Sequence, residues 1–236
     1  ASGLPALSSI QTIGSSMKSV GEVMGIGRTF EEAYQKGIRM LDLDFDGATS
    51  KLLLKNGKTI RESLEVPTPK RMFALAQALK QNMPIKTIYR LTGIDPWFLS
   101  RIKNIVDVEN SIVNTINKLT SSQLLNLKQL GFSDKRIGEI CKTSGLEIRA
   151  LRKKLGIIPS VFQIDTLSGE FPAKTNYLYL TYNGNHNDVK PSGKKGVIGI
   201  VGPKSMQYQK NLSLMEYSAK LLGGGAAVVL IFMITR

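Results

Sequence analysis

The 236-residue chain is long enough for one large domain or two small ones, and its 42% hydrophobic content permits a sizeable core. A single histidine (His186) and a single cysteine (Cys141) exclude an internal disulfide framework and leave almost no raw material for a structural zinc site or a histidine-based catalytic dyad. The formal net charge of +14 directs attention to nucleic acid, an anionic membrane, or an acidic protein or phosphorylated ligand, although a subunit whose acidic counterpart lies elsewhere would carry the same excess.

Residues 1–10 are neutral and small, without the charged-then-apolar pattern of a secretory signal, and the missing initiator methionine leads to the expectation of a chain that starts inside a longer one. Ser15 to Arg28 then holds three glycines, Gly21, Gly25 and Gly27, directly before a helix. Glycines this dense imply special dihedrals or close neighbours, either as an anion cradle or as tight packing. The helix begins at Thr29, with Glu32 completing a capping box, and Phe30, Ala33, Tyr34, Ile38 and Leu41 fall on one apolar face. Asp42 to Gly47 reads as an acidic turn, and Leu52 to Leu54 followed by Asn56-Gly57-Lys58 as a short element and a turn.

From Glu65 onward helix signals dominate. Thr68 with Pro69 marks a helix start, with Met72, Phe73, Leu75, Ala76 and Leu79 as its apolar face. Ile85 to Leu91 is a short helix stopped before Gly93. Asp95 and Pro96 open the longest helix, where Trp97, Phe98, Ile102, Ile105, Val106, Ile112, Val113 and Ile116 recur at helical spacing and Trp97 and Phe98 are expected as core anchors. Capping boxes at Thr120/Gln123 and Ser144/Glu147 and a start at Ser133 define three more short helices, punctuated by Gly131, Gly145 and Gly156. Residues 47–158 therefore form a compact all-helical domain, with Cys141 as a buried, inert thiol. Residues 161–183 turn aromatic and β-branched, and Asn176 to Tyr182 alternates, so extended structure follows. The expected class is mainly α: a compact multi-helix domain with a short extended connector.

In the tail, Val197 to Gly202 reads as a buried strand and glycine turn. Leu221 to Ile234 is apolar but only fourteen residues long and broken by Gly223 to Gly225, which suits a strand better than a membrane anchor. Gly199 to Ser205 fails the phosphate-loop pattern, because Pro203 and Ile198 stand where glycines are required. A stronger rival lies at 130–158, where two short helices joined by Thr143-Ser144-Gly145 suit a nucleic-acid-binding helix-turn-helix. Arg149, Arg152, Lys153 and Lys154 would be its recognition face, and residues 133–155 carry seven bases against three acids.

Met17-Lys18-Ser19-Val20-Gly21-Glu22-Val23-Met24-Gly25-Ile26-Gly27-Arg28, followed by Phe30-Glu31-Glu32-Ala33, resembles the end of the first synthetase half of the carbamoyl-phosphate synthase large subunit. Leu91-Thr92-Gly93-Ile94-Asp95-Pro96-Trp97-Phe98-Leu99, Leu130-Gly131-Phe132-Ser133-Asp134, Tyr177-Leu178-Tyr179 and Thr181-Tyr182-Asn183-Gly184 match in the same order. The last of these resembles the eukaryotic branch. The resemblance implies a parent ligase with two ATP-grasp halves. One phosphorylates bicarbonate and forms carbamate with ammonia or glutamine nitrogen; the other phosphorylates the carbamate, which crosses an internal tunnel.

On that template residues 1–46 end the first half, 47–185 are a helical oligomerisation domain, and 186–236 are a linker and an aberrant or truncated start of the second half. Met17 and Glu22 match tunnel-lining positions, with Lys18 and Arg28 as candidate partners of Glu22. The resemblance implies no catalytic or metal residue in this chain, although the parent enzyme uses ATP with Mg or Mn, so the chain alone is expected to be inactive. Its implied partners are the two ATP-grasp halves, a glutamine amidotransferase subunit or domain, and further copies of itself, with neither nucleic acid nor membrane among them. The implied setting is cytoplasmic or mitochondrial, in arginine or pyrimidine biosynthesis.

Overall fold

A computed structural model describes residues 23–41, 45–50, 59–112, 119–164, 170–171 and 177–189, together with the backbone of 200–203 and 231–234. The chain divides into two compact units, Ala6–Val189 and Ala1–Pro5 with Lys190–Arg236. Among the described residues the first unit is mainly α: α1 (Phe30–Met40), α2 (Ile60–Glu65), α3 (Arg71–Lys80), α4 (Ile85–Thr92), α5 (Pro96–Ser111), α6 (Ser121–Gln129), α7 (Asp134–Cys141) and α8 (Gly145–Lys154). A short antiparallel connector follows, β1 (Ser160–Ile164) against β2 (Tyr177–Thr181), with Phe162 opposite Tyr179. In the second unit β3 (Ile200–Pro203) pairs in parallel with β4 (Ile231–Ile234).

Local chemistry sets most boundaries. The boxes Thr59/Glu62, Thr120/Gln123 and Ser144/Glu147 close in both directions, satisfying backbone N–H groups at the starts of α2, α6 and α8. Asp95 accepts from the Trp97 amide and Pro96 supplies the first turn of α5. Gly93 ends α4 in the left-handed region.

Two differences are instructive. α2 is a helix where no element was expected, although Thr59 and Glu62 carry its signature. α3 starts at Arg71, with Lys70 at its cap position, because the Arg71 amide bonds to the Thr68 carbonyl and makes a preceding turn of residues 69–70. The expected strand and turn at 52–58, the acidic residues 42–44, Val113, Ile116, Val197 to Gly199 and most of the apolar tail lie outside the described residues.

Two apolar clusters fill the helical unit. One gathers Leu64, Phe73, Leu79, Ile88, Leu99, Ile102 and Val106; the other gathers Ile105, Ile112, Leu124, Leu127, Phe132, Ile137, Cys141 and Ile148. α5 is the shared spine, since successive faces of one helix feed both. Cys141 is buried as expected, and burial pushes its thiol pKa up. Trp97 and Phe98 are not core: they are 48% and 44% exposed, because the first turn of α5 points them toward α1 and solvent.

α1 overturns its apolar-face reading more thoroughly. Its buried residues are Glu31, Glu32, Gln35 and Ile38, whereas Phe30 and Tyr34 are only partly buried. A polar face is buried here because other segments supply hydrogen bonds to it.

Gly131 and Gly93 both have positive φ, at 88° and 70°. A Cβ on Gly131 would sit 2.9 Å from Glu32 Cα, whereas one on Gly93 meets open space. Gly93→Ala should therefore cost only the conformational strain, about 1 kcal/mol. Gly131→Ala should cost about 2 kcal/mol or more, because α1 must also move. Urea unfolding of both variants checks the difference, and equal losses would show that the contact with α1 is unimportant.

Candidate functional site

The segment before α1 lies flat against that helix. A Cβ on Gly25 would sit 2.3 Å from the Ala33 carbonyl oxygen and 2.8 Å from Gly37 N, and one on Gly27 would sit 2.8 Å from Ala33 N. No side chain fits at either position, so these two glycines serve close packing; Gly21 lies outside the described residues.

Glu32 stands at the centre of this arrangement, 1% exposed. Its Oε1 accepts from Lys36 Nζ at 2.7 Å. Its Oε2 accepts from the Arg28 amide at 3.0 Å, Thr181 Oγ1 at 2.8 Å and Asn183 Nδ2 at 3.0 Å. The expected capping role is thus altered: Thr29 does accept from the Glu32 amide, but the Glu32 carboxylate reaches past Thr29 to Arg28 and across to β2. Burial alone would raise the Glu32 pKa; these four donors outweigh it and hold the carboxyl below its usual value. Lys36 also donates to the carbonyls of Ile26 and Leu180. One ion pair therefore fastens the incoming segment 26–28, helix α1 and the outgoing segment 180–183.

The rest of the polar face of α1 is anchored elsewhere. Asn104 Nδ2 donates to Glu31 at 3.0 Å, Gln35 Nε2 to the Leu130 carbonyl at 2.9 Å and Arg39 to the Gly131 carbonyl at 2.7 Å. Two further charge clusters brace the helices. Glu109 on α5 receives Lys80, Arg136 and Thr49. Asp134 on α7 accepts from Lys128 and Arg152, each at 2.8 Å, and both cations lie over the Tyr182 ring. Burial would raise the Asp134 pKa, but Lys128 and Arg152 pull it below its usual value; burial depresses that of Lys128.

Arg152 consequently leaves the recognition face proposed for α8. It is 9% exposed and faces α7, while Lys153 and Lys154 are exposed and Arg149 is half-buried. The expected helix pair α7–α8 is present, but its second helix opens with Gly145, Leu146 and Glu147, where base-reading side chains would stand.

Met17, Lys18 and Glu22 lie outside the described residues. Arg28 is exposed, with its guanidinium 4.7 Å above the Phe162 ring and its amide committed to Glu32. His186 is exposed, bonded to Asn185 and 3.4 Å from Asp188. No group of three or more His, Cys, Asp or Glu residues placed to hold a metal occurs among the described residues, and no described helix is long and apolar enough to cross a membrane. The sequence reading missed the roles of Thr181 and Asn183. Nothing local marks them, because their acceptor lies about 150 positions away in the chain.

The family described as carbamoyl-phosphate synthetase large chain, oligomerisation domain, matches residues 22–156, which span α1 to α8. The chain belongs to this family. It is 49% identical over 179 residues to the multifunctional protein CAD of Squalus acanthias, covering 75% of this chain and 8% of that protein. It is 44% identical over 183 residues to the mitochondrial carbamoyl-phosphate synthase [ammonia] of Mus musculus, covering 75% and 12%. With the carbamoyl phosphate synthase large chain of Sulfolobus acidocaldarius the identity is 45% over 195 residues, covering 81% and 18%. The chain thus spans less than a fifth of the length of each of these relatives.

Glu32 and Asp134 have folded-state pKa values below their unfolded ones, so their contribution is complete above the ordinary carboxylate range of about 4 and is lost as pH falls through the depressed values. Glu32→Gln should cost about 2–3 kcal/mol at neutral pH, because it removes charge-assisted bonds and turns an amide N–H₂ toward donors. Thermal melts from pH 7 to pH 3 should show a shallower acid loss in the variant. Parallel curves would exclude Glu32 from the network's acid sensitivity.

Proposed function

We propose that this chain supplies the oligomerisation segment of a carbamoyl-phosphate synthase large subunit, the ligase that forms carbamoyl phosphate from bicarbonate, ATP and ammonia or glutamine nitrogen. The observation that carries this reading is the family match over residues 22–156, which spans helices α1 to α8. Its role there is structural: to associate subunits and to hold one edge of the carbamate tunnel.

On this reading the residues up to 46 end an ATP-grasp half, and 47–185 form the oligomerisation domain. Residues from 186 on are a linker and an aberrant or truncated start of the second half. Met17 and Glu22 line the tunnel, and Lys18 or Arg28 balances the charge of Glu22. The glycine segment that follows Glu22 supports this, because Gly25 and Gly27 seat it against α1 and Glu32 fixes the Arg28 amide. A carbamate passage needs such a wall, since a mobile loop would admit water to a labile intermediate. ATP and its Mg or Mn ions act elsewhere in the parent enzyme, and its partners are the two ATP-grasp halves and a glutamine amidotransferase.

Sedimentation equilibrium of the purified chain tests the associating role: reversible dimers or larger species are expected at micromolar concentration, and a strict monomer would count against it. The same preparation should hydrolyse no ATP with or without bicarbonate, and bicarbonate-dependent release of phosphate would overturn the division of labour. Duplex DNA titrated across a salt series should show no steep loss of affinity, the signature that phosphate contacts would leave.

A further inference from the structure

Asn183 and Gly184 stand just beyond the end of β2 as an Asn-Gly pair, and each is held there by a different contact. Asn183 Nδ2 donates to Glu32 Oε2 at 3.0 Å and to the Gln129 carbonyl at 2.8 Å, and the Asn183 amide donates to Thr181 Oγ1 at 3.0 Å. Both neighbours of Nδ2 are acceptors, which fixes the nitrogen on that side. A Cβ on Gly184 would sit 2.3 Å from Phe162 Cε2 and 2.7 Å from its Cζ, so the buried Phe162 ring leaves room for glycine only.

An Asn-Gly pair is chemically labile, because glycine's missing Cβ lets its backbone nitrogen reach the preceding side-chain carbon. The Gly184 nitrogen loses its proton and bonds to Asn183 Cγ, Nδ2 leaves as ammonia, and a cyclic imide remains. Water then adds to either imide carbonyl and opens the ring. The product is a carboxylate at position 183, on an ordinary backbone or on an isoaspartyl link.

We propose that Asn183 is a deamidation site guarded by Glu32, and that its conversion unfastens segment 26–28 from segment 180–183. The guard acts on the leaving group. Nδ2 departs as ammonia only when its bonds to Glu32 and Gln129 break, so the closed network withholds the reaction. Water has access to the site, since Asn183 and Gly184 are half-buried and Asn185 to Asp188 are exposed. Conversion turns a donor into an acceptor. The new carboxylate faces the Glu32 carboxylate, 1% exposed, and the Gln129 carbonyl, with like charge against the first. Glu32 Oε2 also holds the Arg28 amide and Thr181, and Lys36, on Oε1, reaches the carbonyls of Ile26 and Leu180. The change is therefore felt at both segments, and loss of ammonia makes it one-way.

Peptide mass mapping of the full chain, aged at neutral pH, follows Asn183 separately from the second such pair, Asn56-Gly57. The folded chain should convert Asn183 at least about tenfold more slowly than the same chain in denaturing urea. Glu32→Gln should close much of that gap, and Thr181→Val should do so with the Glu32 charge intact; circular dichroism identifies the folded variants. Asn104→Ala, which frees Glu31 on the same helix and leaves Glu32 engaged, should behave as the parent chain. Asn183→Asp, equivalent to the product, should speed hydrogen exchange of the Arg28 amide at least about tenfold, whereas Asn185→Asp on the exposed neighbour should not. Equal conversion in folded and denatured chain, or in the parent and both guard variants, overturns the guard. Unchanged Arg28 exchange in Asn183→Asp overturns the release.

Discussion

The carboxylate of Glu32 is the interaction on which the described helical unit depends. It is buried, charged and fully engaged, receiving an amide from the incoming segment, an ammonium from its own helix and two donors from the outgoing segment, Thr181 at the end of β2 and Asn183 just beyond it. A buried carboxylate without such partners would cost several kcal/mol and would take up a proton instead. Its depressed pKa follows from having more donors than burial can offset. The chain that enters the domain and the chain that leaves it are therefore held by the same two oxygen atoms.

This arrangement explains why α1 is amphipathic in an unusual sense. Its buried face carries Glu31, Glu32 and Gln35, each answered by a residue from another part of the chain: Asn104, Thr181 and Asn183, and the Leu130 carbonyl. Gly131 lets the segment that carries the Leu130 carbonyl come close to Gln35, and Gly25 and Gly27 seat the incoming segment against α1. The two apolar clusters supply the bulk of the burial, with α5 common to both. The polar bonds fix how α1 sits against them.

Within the described residues such a layout separates two tasks. One side of α1 secures the backbone that follows Glu22. The seam of α1 with α5 leaves aromatic rings outside, where packing surface is available to another molecule. Exposed bases stand on α8 at Lys153 and Lys154. Arg152 shows how poorly a charge run predicts a binding face: in sequence it stands beside Lys153 and Lys154, but in space it is buried against Asp134 and Tyr182.

Local signals were sufficient wherever the physics is local. Capping boxes at Thr120 and Ser144, the Asp95-Pro96 start, the left-handed stop at Gly93 and the extended turn to β1 and β2 are all legible, because each concerns backbone groups within a few residues. Ordered motifs from Met17 to Gly184 were likewise enough to indicate the family. The placement of Trp97 and Phe98 was not legible, since helical spacing identifies a stripe but not whether it faces core, another helix or solvent. Nor was the role of Glu32, which looks in sequence like an ordinary capping acid. Only the tertiary structure brought Thr181 and Asn183 to it, because hydrogen bonds between distant segments depend on how the whole chain packs and leave no periodicity in the sequence.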